Sequence, residues 1–317
     1  MITISNVDDG TRLLHWFHHV FPGLPNSDFY KLCRGGQIRV NSSRVRGNEI
    51  LRTGDVVRVP PTLQSYKNVK KSGGGDAFSL SDLEDLRKSI IYDDNDVVVF
   101  NKPAGLAVQG GTGIKKSLDK MAAAMFPYDK ILLVHRIDKE TSGILVVAKN
   151  QHAAQELSKQ FQNKTAHKEY VALLHGNLTV SHGVLENYVA KGAVYEDLSN
   201  VPENVHAQRA VTEYKLLGTA HGLLSWVWFS PKTGRTHQLR LHSAYSLGAP
   251  IVGDDLYGTT RGKDLGMLNS LLTTKNLFLF AYKINFIHPS SRKIMTFVAQ
   301  IPNFMQSVLK FLEFHLP

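Results

Sequence analysis

Residues 60–77, PPTLQSYKNVKKSGGGDA, set the strongest limit on how this chain folds. Two adjacent prolines, three consecutive glycines and few large apolar side chains do not continue a helix or a strand, so the stretch reads as a flexible basic linker. The chain therefore divides into a small body over residues 1–60, a linker over 61–84 and a large body over 85–317. Hydrophobic residues make up 43% of the chain, enough to give each body its own core. No repeat of about 20–50 residues replaces this division with a solenoid.

Ahead of the linker, Leu13, Phe17, Val20 and Phe21 recur at helical spacing in RLLHWFHHVF, with Asp9 or Thr11 available as a cap. A second helix over Ser27–Arg34 turns Phe29, Leu32 and Cys33 inward and stops at Gly35-Gly36. Ile38 and Val40 alternate with Gln37, Arg39 and Asn41 as a strand, and Asp55–Pro60 follows the turn at Thr53-Gly54-Asp55 as another. His15, His18 and His19 have metal-like spacing, but with no Cys or carboxylate beside them they read as part of an amphipathic helix. Lys31, Arg34, Arg39, Arg44 and Arg46 fall close together in this miniature α+β unit. The stretch KLCRGGQIRVNSSRV, Lys31–Val45, resembles the alpha-L RNA-binding domain of small-subunit ribosomal protein S-four. The resemblance implies that Lys31, Arg34 and Arg39 meet RNA phosphates.

Behind the linker, apolar runs predict strands at Asp96–Asn101, Ile131–Val134, Ile144–Ala148, Glu169–His175, Leu223–Phe229, Leu277–Phe286 and Ile294–Ile301. Asn150 caps a helix with Ala153, Ala154, Leu157 and Phe161 on one face. Thr236–Leu247 reads as a helix ended by Gly248, and Phe304–Phe314 as a closing helix. Many strands and interspersed helices, without a regular β-α-β period, predict an α+β fold rather than a doubly wound sheet.

The usual cofactor signatures are missing. Gly110-Gly111-Thr112-Gly113 lacks the Lys-Ser/Thr of a phosphate loop and the spacing of a dinucleotide fingerprint. A single cysteine, Cys33, excludes an internal disulfide and a thiolate zinc cluster. The expectation is a reaction with no cofactor and no metal. Two polar stretches remain to carry chemistry. HRIDKETSG, His135–Gly143, joins two apolar strands and offers Asp138 as nucleophile or base with Arg136 and Lys139 beside it; alone it also reads as a solvated turn. KTGRTHQLRLH, Lys232–His242, brings Lys232, Arg235 and Arg240 around a glycine and suits a phosphate or carboxylate; alone it also reads as a basic surface helix. His237 and His242 have no third metal ligand nearby.

Taken together, NKPAGLAV (Asn101–Val108), HRIDKETSGILVVAK (His135–Lys149), KEYVALLHG (Lys168–Gly176) and SPKTGRTHQLRLH (Ser230–His242) resemble the RluA-type pseudouridine synthases, and more closely the RluC-like large-subunit ribosomal RNA enzymes. The resemblance implies a catalytic domain with a large mixed, mainly antiparallel sheet flanked by helices. It implies isomerisation of uridine to pseudouridine without a cofactor: the glycosidic bond breaks, uracil turns, and it rejoins through carbon. It makes Asp138 the catalytic residue, by attack on the sugar or by removal of a sugar proton. It makes Tyr170 the stacking surface for the base and a candidate for proton transfer, and Arg240 the ion-pair partner of Asp138. Arg136, Arg235, His237 and Leu279 are the implied substrate contacts. The chain departs from the family at Leu279-Phe280-Ala281, where Phe280 replaces the usual His, and at Ile137, which replaces Leu at nearly equal volume.

The charge fits this division. Residues 1–71 hold 11 Lys/Arg against 5 Asp/Glu, hence +6 of the chain's +10. A basic end on a nearly balanced body suggests a polyanion-gripping module attached to something else. There is no apolar run of about 18 residues, and MITISNVDDG resembles neither a secretory signal nor a transit peptide. The expectation is a cytoplasmic monomer whose partner is large-subunit ribosomal RNA, with no membrane attachment.

Overall fold

The computed structural model describes residues 1–5, 8–21, 24–66, 78–111, 113–127, 129–258 and 276–317. Lys67, Lys70 and Lys71 of the expected linker lie outside these residues, as does Thr112. The chain forms two compact units, Met1–Asp76 and Ala77–Pro317.

In the first unit, β1 (Ile2–Thr3), α1 (Leu13–Val20), α2 (Asn26–Arg34), β2 (Arg39–Val40), β3 (Ser43–Arg44) and β4 (Val56–Arg58) build a four-stranded sheet in the order β1-β4-β2-β3 with two helices. Leu13, Trp16 and Phe17 share one face of α1 and are buried with Phe21, Phe29, Ile38, Leu51 and Val57. Cys33 lies in this core, where burial pushes its thiol pKa up to about 12 and leaves it inert. Neither Asp9 nor Thr11 caps α1. The N-cap is Arg12, without a side-chain bond, and the first helical N–H groups donate instead to the carbonyls of Glu49 (2.8 Å) and Gly47 (3.2 Å). The Asp9 carboxylate is already engaged, accepting from the Thr53 N–H at 2.8 Å. Helix α2 ends as expected, with Gly36 at a left-handed φ of 65°.

The second unit contains α3 (Leu80–Lys88), β5 (Ile90–Asp93), β6 (Val97–Lys102), α4 (Leu118–Met125), β7 (Leu132–Leu133), β8 (Ser142–Ala148), α5 (Gln151–Gln162), β9 (His167–His175), β10 (His182–Ala190), β11 (Ala193–Tyr195), β12 (Gln208–Ala220), β13 (Leu224–Pro231), α6 (Gln238–Leu241), β14 (Leu279–Ile287), β15 (Ile294–Val298) and α7 (Asn303–Phe311). The strands join in an 11-stranded sheet ordered β11-β10-β12-β13-β9-β14-β8-β6-β5, with β15 on β14 and β7 on β8. All its pairings are antiparallel except β14 with β8, giving the mixed, mainly antiparallel sheet of an α+β fold. Val97–Phe100 of β6 and Ile144–Ala148 of β8 are continuous apolar runs because both faces are covered. Val97, Val99, Ile144 and Val146 enter one core with α5, whereas Val98, Phe100, Leu145 and Val147 enter another with Leu86 and α4.

The structure differs from the sequence-based expectations at two further places and adds two long strands to them. The proposed linker over 61–84 contains a 3-10 turn at Pro61–Tyr66 and the start of α3, whose capping box pairs Ser79 with Asp82. The expected helix over Thr236–Leu247 is the four-residue α6 followed by a π-helical turn, His242–Ser246. It starts late because His237 takes a left-handed φ of 54°. The long strands β10 and β12 were not anticipated. Their side chains alternate between exposed and covered positions, which lacks the continuous apolar signal of β6 and β8. Among the described residues no helix is long and apolar enough to cross a membrane.

Candidate active site

The loop between β7 and β8 carries Asp138, and its shape is fixed from beneath. Lys102, at the end of β6, is fully buried and donates to the carbonyls of Pro103 (2.9 Å), Leu106 (2.8 Å) and Lys139 (2.9 Å). Burial pulls its ammonium pKa down to about 7, with the charges of Glu140 and Asp138 opposing the fall. Three acceptors matched to its three protons also hold the charged form. The Lys139 carbonyl accepts a further bond from the Gly105 N–H at 3.0 Å. NKPAGLAV is therefore the clamp on the residue after Asp138.

At the loop's start, His135 Nε2 accepts from the Val146 N–H at 2.9 Å and its ring stacks on Phe161 at 4.5 Å. Burial, then the charge of Lys168, pushes its pKa down to about 3, so the imidazole is a neutral strut. Ile137 anchors the loop in the core beside α4. At the loop's end, Gly143 has φ 110°, and a Cβ there would collide with the backbone of Ala281. Gly143→Ala is expected to lose about 3 kcal/mol or more of stability through a forced φ and a backbone clash. Urea denaturation checks this.

A second wall is the β13–α6 loop. Gln238 knots it: the side-chain oxygen accepts from Thr233 Oγ1 (2.7 Å) and the Arg235 N–H (3.1 Å), while the amide donates to the Val211 carbonyl (3.0 Å) and Thr212 Oγ1 (2.8 Å). The knot presents His237 and Arg240 to Asp138. His237 Nε2 stands 3.9 Å from Asp138 Oδ1, and its Nδ1 pairs with the Tyr257 hydroxyl at 2.8 Å. Arg240 Nη1 is 3.9 Å from Asp138 Oδ2.

The closer partner of Arg240 is a residue the sequence reading missed. Asp254 receives Arg240 in a bidentate pair, with Nε at 2.8 Å and Nη2 at 2.5 Å. Its Oδ1 also accepts the N–H groups of Leu256 (3.0 Å) and Tyr257 (3.1 Å). The expected Arg240–Asp138 pair is thus the longer of two, and Arg240 lies over the Tyr257 ring at 5.2 Å. The sequence signal for Asp254 was indirect: a buried guanidinium requires a carboxylate, and GDDLYG (Gly253–Gly258) offers one close in sequence.

The third wall comes from β9 and β14. Tyr170 pairs with Ala281 and Ala172 with Leu279, so the pleat places Tyr170 and Leu279 on one face of the sheet. Burial, then the charge of Asp138, pushes the Tyr170 phenol above its usual pKa and keeps it protonated. Phe280 pairs with Val171 on the opposite face and is fully buried in the core. Position 280 therefore packs the fold and does not line the cleft.

These walls enclose a cleft of about 610 Å³ lined by Asp138, Tyr170, Leu279, Arg136, Arg235, His237 and Arg240 among others. Among the described residues Asp138 is the one carboxylate on its surface, against six Lys and Arg side chains. Arg136 reaches Thr236 Oγ1 at 3.4 Å, and Arg235 donates to the Arg209 carbonyl at 3.1 Å. Lys31, Arg34 and Arg39 belong to the other unit. Lys31 and Arg34 are exposed on the last turn of α2, while Arg39 folds back onto the carbonyls of Gly36 (3.1 Å) and Ser42 (3.0 Å).

Residues 96–245 match the family described as RNA pseudouridylate synthase. The ribosomal large subunit pseudouridine synthase C of Haemophilus influenzae is 33% identical, over 98% of this chain and 94% of that protein. The Vibrio vulnificus protein of the same name is 36% identical, over 98% and 97%. Among solved structures, human RNA pseudouridylate synthase domain containing 4 superposes with a TM-score of 0.63 at 27% identity, covering 75% of this chain and 97% of that one. The matched segment spans Asp138, Tyr170 and Arg240, and the relatives run nearly end to end, so the chain belongs to the RNA pseudouridine synthase family of enzymes.

Proposed function

We propose that this enzyme converts uridines of large-subunit ribosomal RNA to pseudouridine, with Asp138 as the catalytic residue. The names of its relatives support the substrate. The observation that carries the reading is the placement of Asp138 as the one described carboxylate on the cleft surface, between the cationic side chain of Arg240 and the imidazole of His237. Uracil pulled from its stack packs against the face of Tyr170 and the side chain of Leu279. The Asp138 carboxylate then acts at the sugar while the glycosidic bond breaks and uracil rejoins through carbon. Asp254 holds Arg240 in place, so the guanidinium does not collapse onto Asp138 and a channel for the nucleotide stays open. Unpairing a base costs a few kcal/mol, which stacking and the cleft's cations offset. The residues carry every step themselves, with no cofactor.

In this reading the first unit is an RNA-binding module, with Lys31, Arg34 and Arg39 toward the phosphate backbone, and the protein is a cytoplasmic monomer. Removing residues 1–71 leaves a catalytic unit with its own cores. It is expected to bind ribosomal RNA more weakly and to flatten the log–log salt dependence by about 2 or more, as several phosphate contacts disappear. Titration at several salt concentrations checks this. For the activity itself, tritium release from 5-tritiated uridine in bulk ribosomal RNA is the test: release supports the proposal, and no release leaves a protein that only binds RNA.

A further inference from the structure

Lys168 is a cleft cation that the reaction above does not use and, unlike the exposed Lys164, it is half-buried. Lys168 lies two residues before Tyr170 on β9, so both side chains project to the cleft side of the sheet. Glu169 between them points the other way, accepting from Trp228 Nε1 at 2.9 Å and meeting Lys283 Nζ at 3.0 Å. The neighbouring cations are engaged. Lys232 meets Glu213 at 2.6 Å, and Arg240 holds Asp254. The Lys168 ammonium meets no carboxylate and no hydrogen-bond acceptor among the described residues. Burial alone pulls its pKa below the usual lysine value. The nearby His135 is neutral and supplies no countercharge. Opposite the ammonium stands Gly234, where a Cβ would sit 3.6 Å from Nζ; its absence keeps that approach open.

A half-buried ammonium without an anion is costly, and nothing in the fold uses it. The anion that enters this cleft is RNA. Lys168 and Tyr170 are about 6.6 Å apart along the strand, within the span from a base to its own phosphate. We propose that Lys168 binds a non-bridging oxygen of a phosphate flanking the target uridine, and so sets how far the nucleotide enters the cleft. This rests on the pseudouridine synthase reading above, and it adds a binding residue to that site.

The test uses the full-length protein and an RNA fragment that the wild-type enzyme converts. Lys168→Met is expected to weaken affinity about tenfold and to lower the salt slope by about 0.7–0.9, with the loss falling more on KM than on kcat. Lys168→Arg recovers most of the affinity. Lys168→Met without RNA has an unchanged or higher Tm, because it deletes an unpaired buried charge. A methylphosphonate on one side of the target uridine costs the wild-type enzyme the same factor and costs Lys168→Met nothing further. If affinity and slope are unchanged in Lys168→Met, or the losses multiply in full for the methylphosphonate on either side, Lys168 does not bind phosphate. Conversion by the wild-type enzyme in the same RNA keeps that failure separate from failure of the reaction assignment; if the wild-type enzyme converts no uridine in any ribosomal RNA, both fall together.

Discussion

Replacing Asp138 with Asn is expected to lower pseudouridine formation by about 10⁴-fold or more while leaving the fold and RNA affinity near wild type. The amide keeps the volume and shape of the carboxylate but can neither attack a sugar carbon nor take a proton from it. The stability cost is small because the charge neighbours of Asp138 stand at 3.9 Å, and Arg240 retains its bidentate pair with Asp254. A long, partly exposed contact of this kind contributes about 1 kcal/mol at most. Single-turnover kinetics and thermal unfolding of the same preparation separate the two effects.

Asp254→Ala is expected to act in the opposite balance, losing stability and activity together. Arg240 and Asp254 are both buried, with 6% and 0% of their side chains exposed. Removing the carboxylate leaves a buried guanidinium unpaired, a loss of about 3–5 kcal/mol. It also frees the N–H groups of Leu256 and Tyr257, and with them the hydroxyl that holds His237. Arg240 can then move onto Asp138 and close the space the nucleotide needs, for a drop of about 100-fold in kcat. Urea denaturation measures the first effect, and rates measured well below the Tm isolate the second. Wild-type stability in Asp254→Ala would mean that Asp254 is not the anchor of the site.

How legible each part was depended on whether its partners are contiguous. HRIDKETSG and KTGRTHQLRLH put Asp138, Arg235, His237 and Arg240 in two short runs, and the cleft brings those runs together. Tyr170 and Leu279 were marked only by the family resemblance, since the β9–β14 register that puts them on one face is set by the folded sheet. Asp254 escaped because its function lies in a bond to Arg240 that only the folded chain forms. Lys102 was visible as a letter in NKPAGLAV, but its role lies in three backbone carbonyls, which a sequence does not display. The start of α3 was concealed by the glycines before it, although Ser79 and Asp82 spell a capping box. The late start of α6 depends on the left-handed His237, a conformation that propensity does not assign to that residue.

The most direct measurement is a map of pseudouridines in large-subunit ribosomal RNA from cells lacking this protein, then supplied with the wild-type chain or with Asp138→Asn at equal abundance. The expected result is one or more pseudouridines that vanish without the protein, return with the wild-type chain and stay absent with Asp138→Asn. Full restoration by Asp138→Asn, or a map unchanged by loss of the protein, would contradict the assignment of Asp138 and of large-subunit ribosomal RNA.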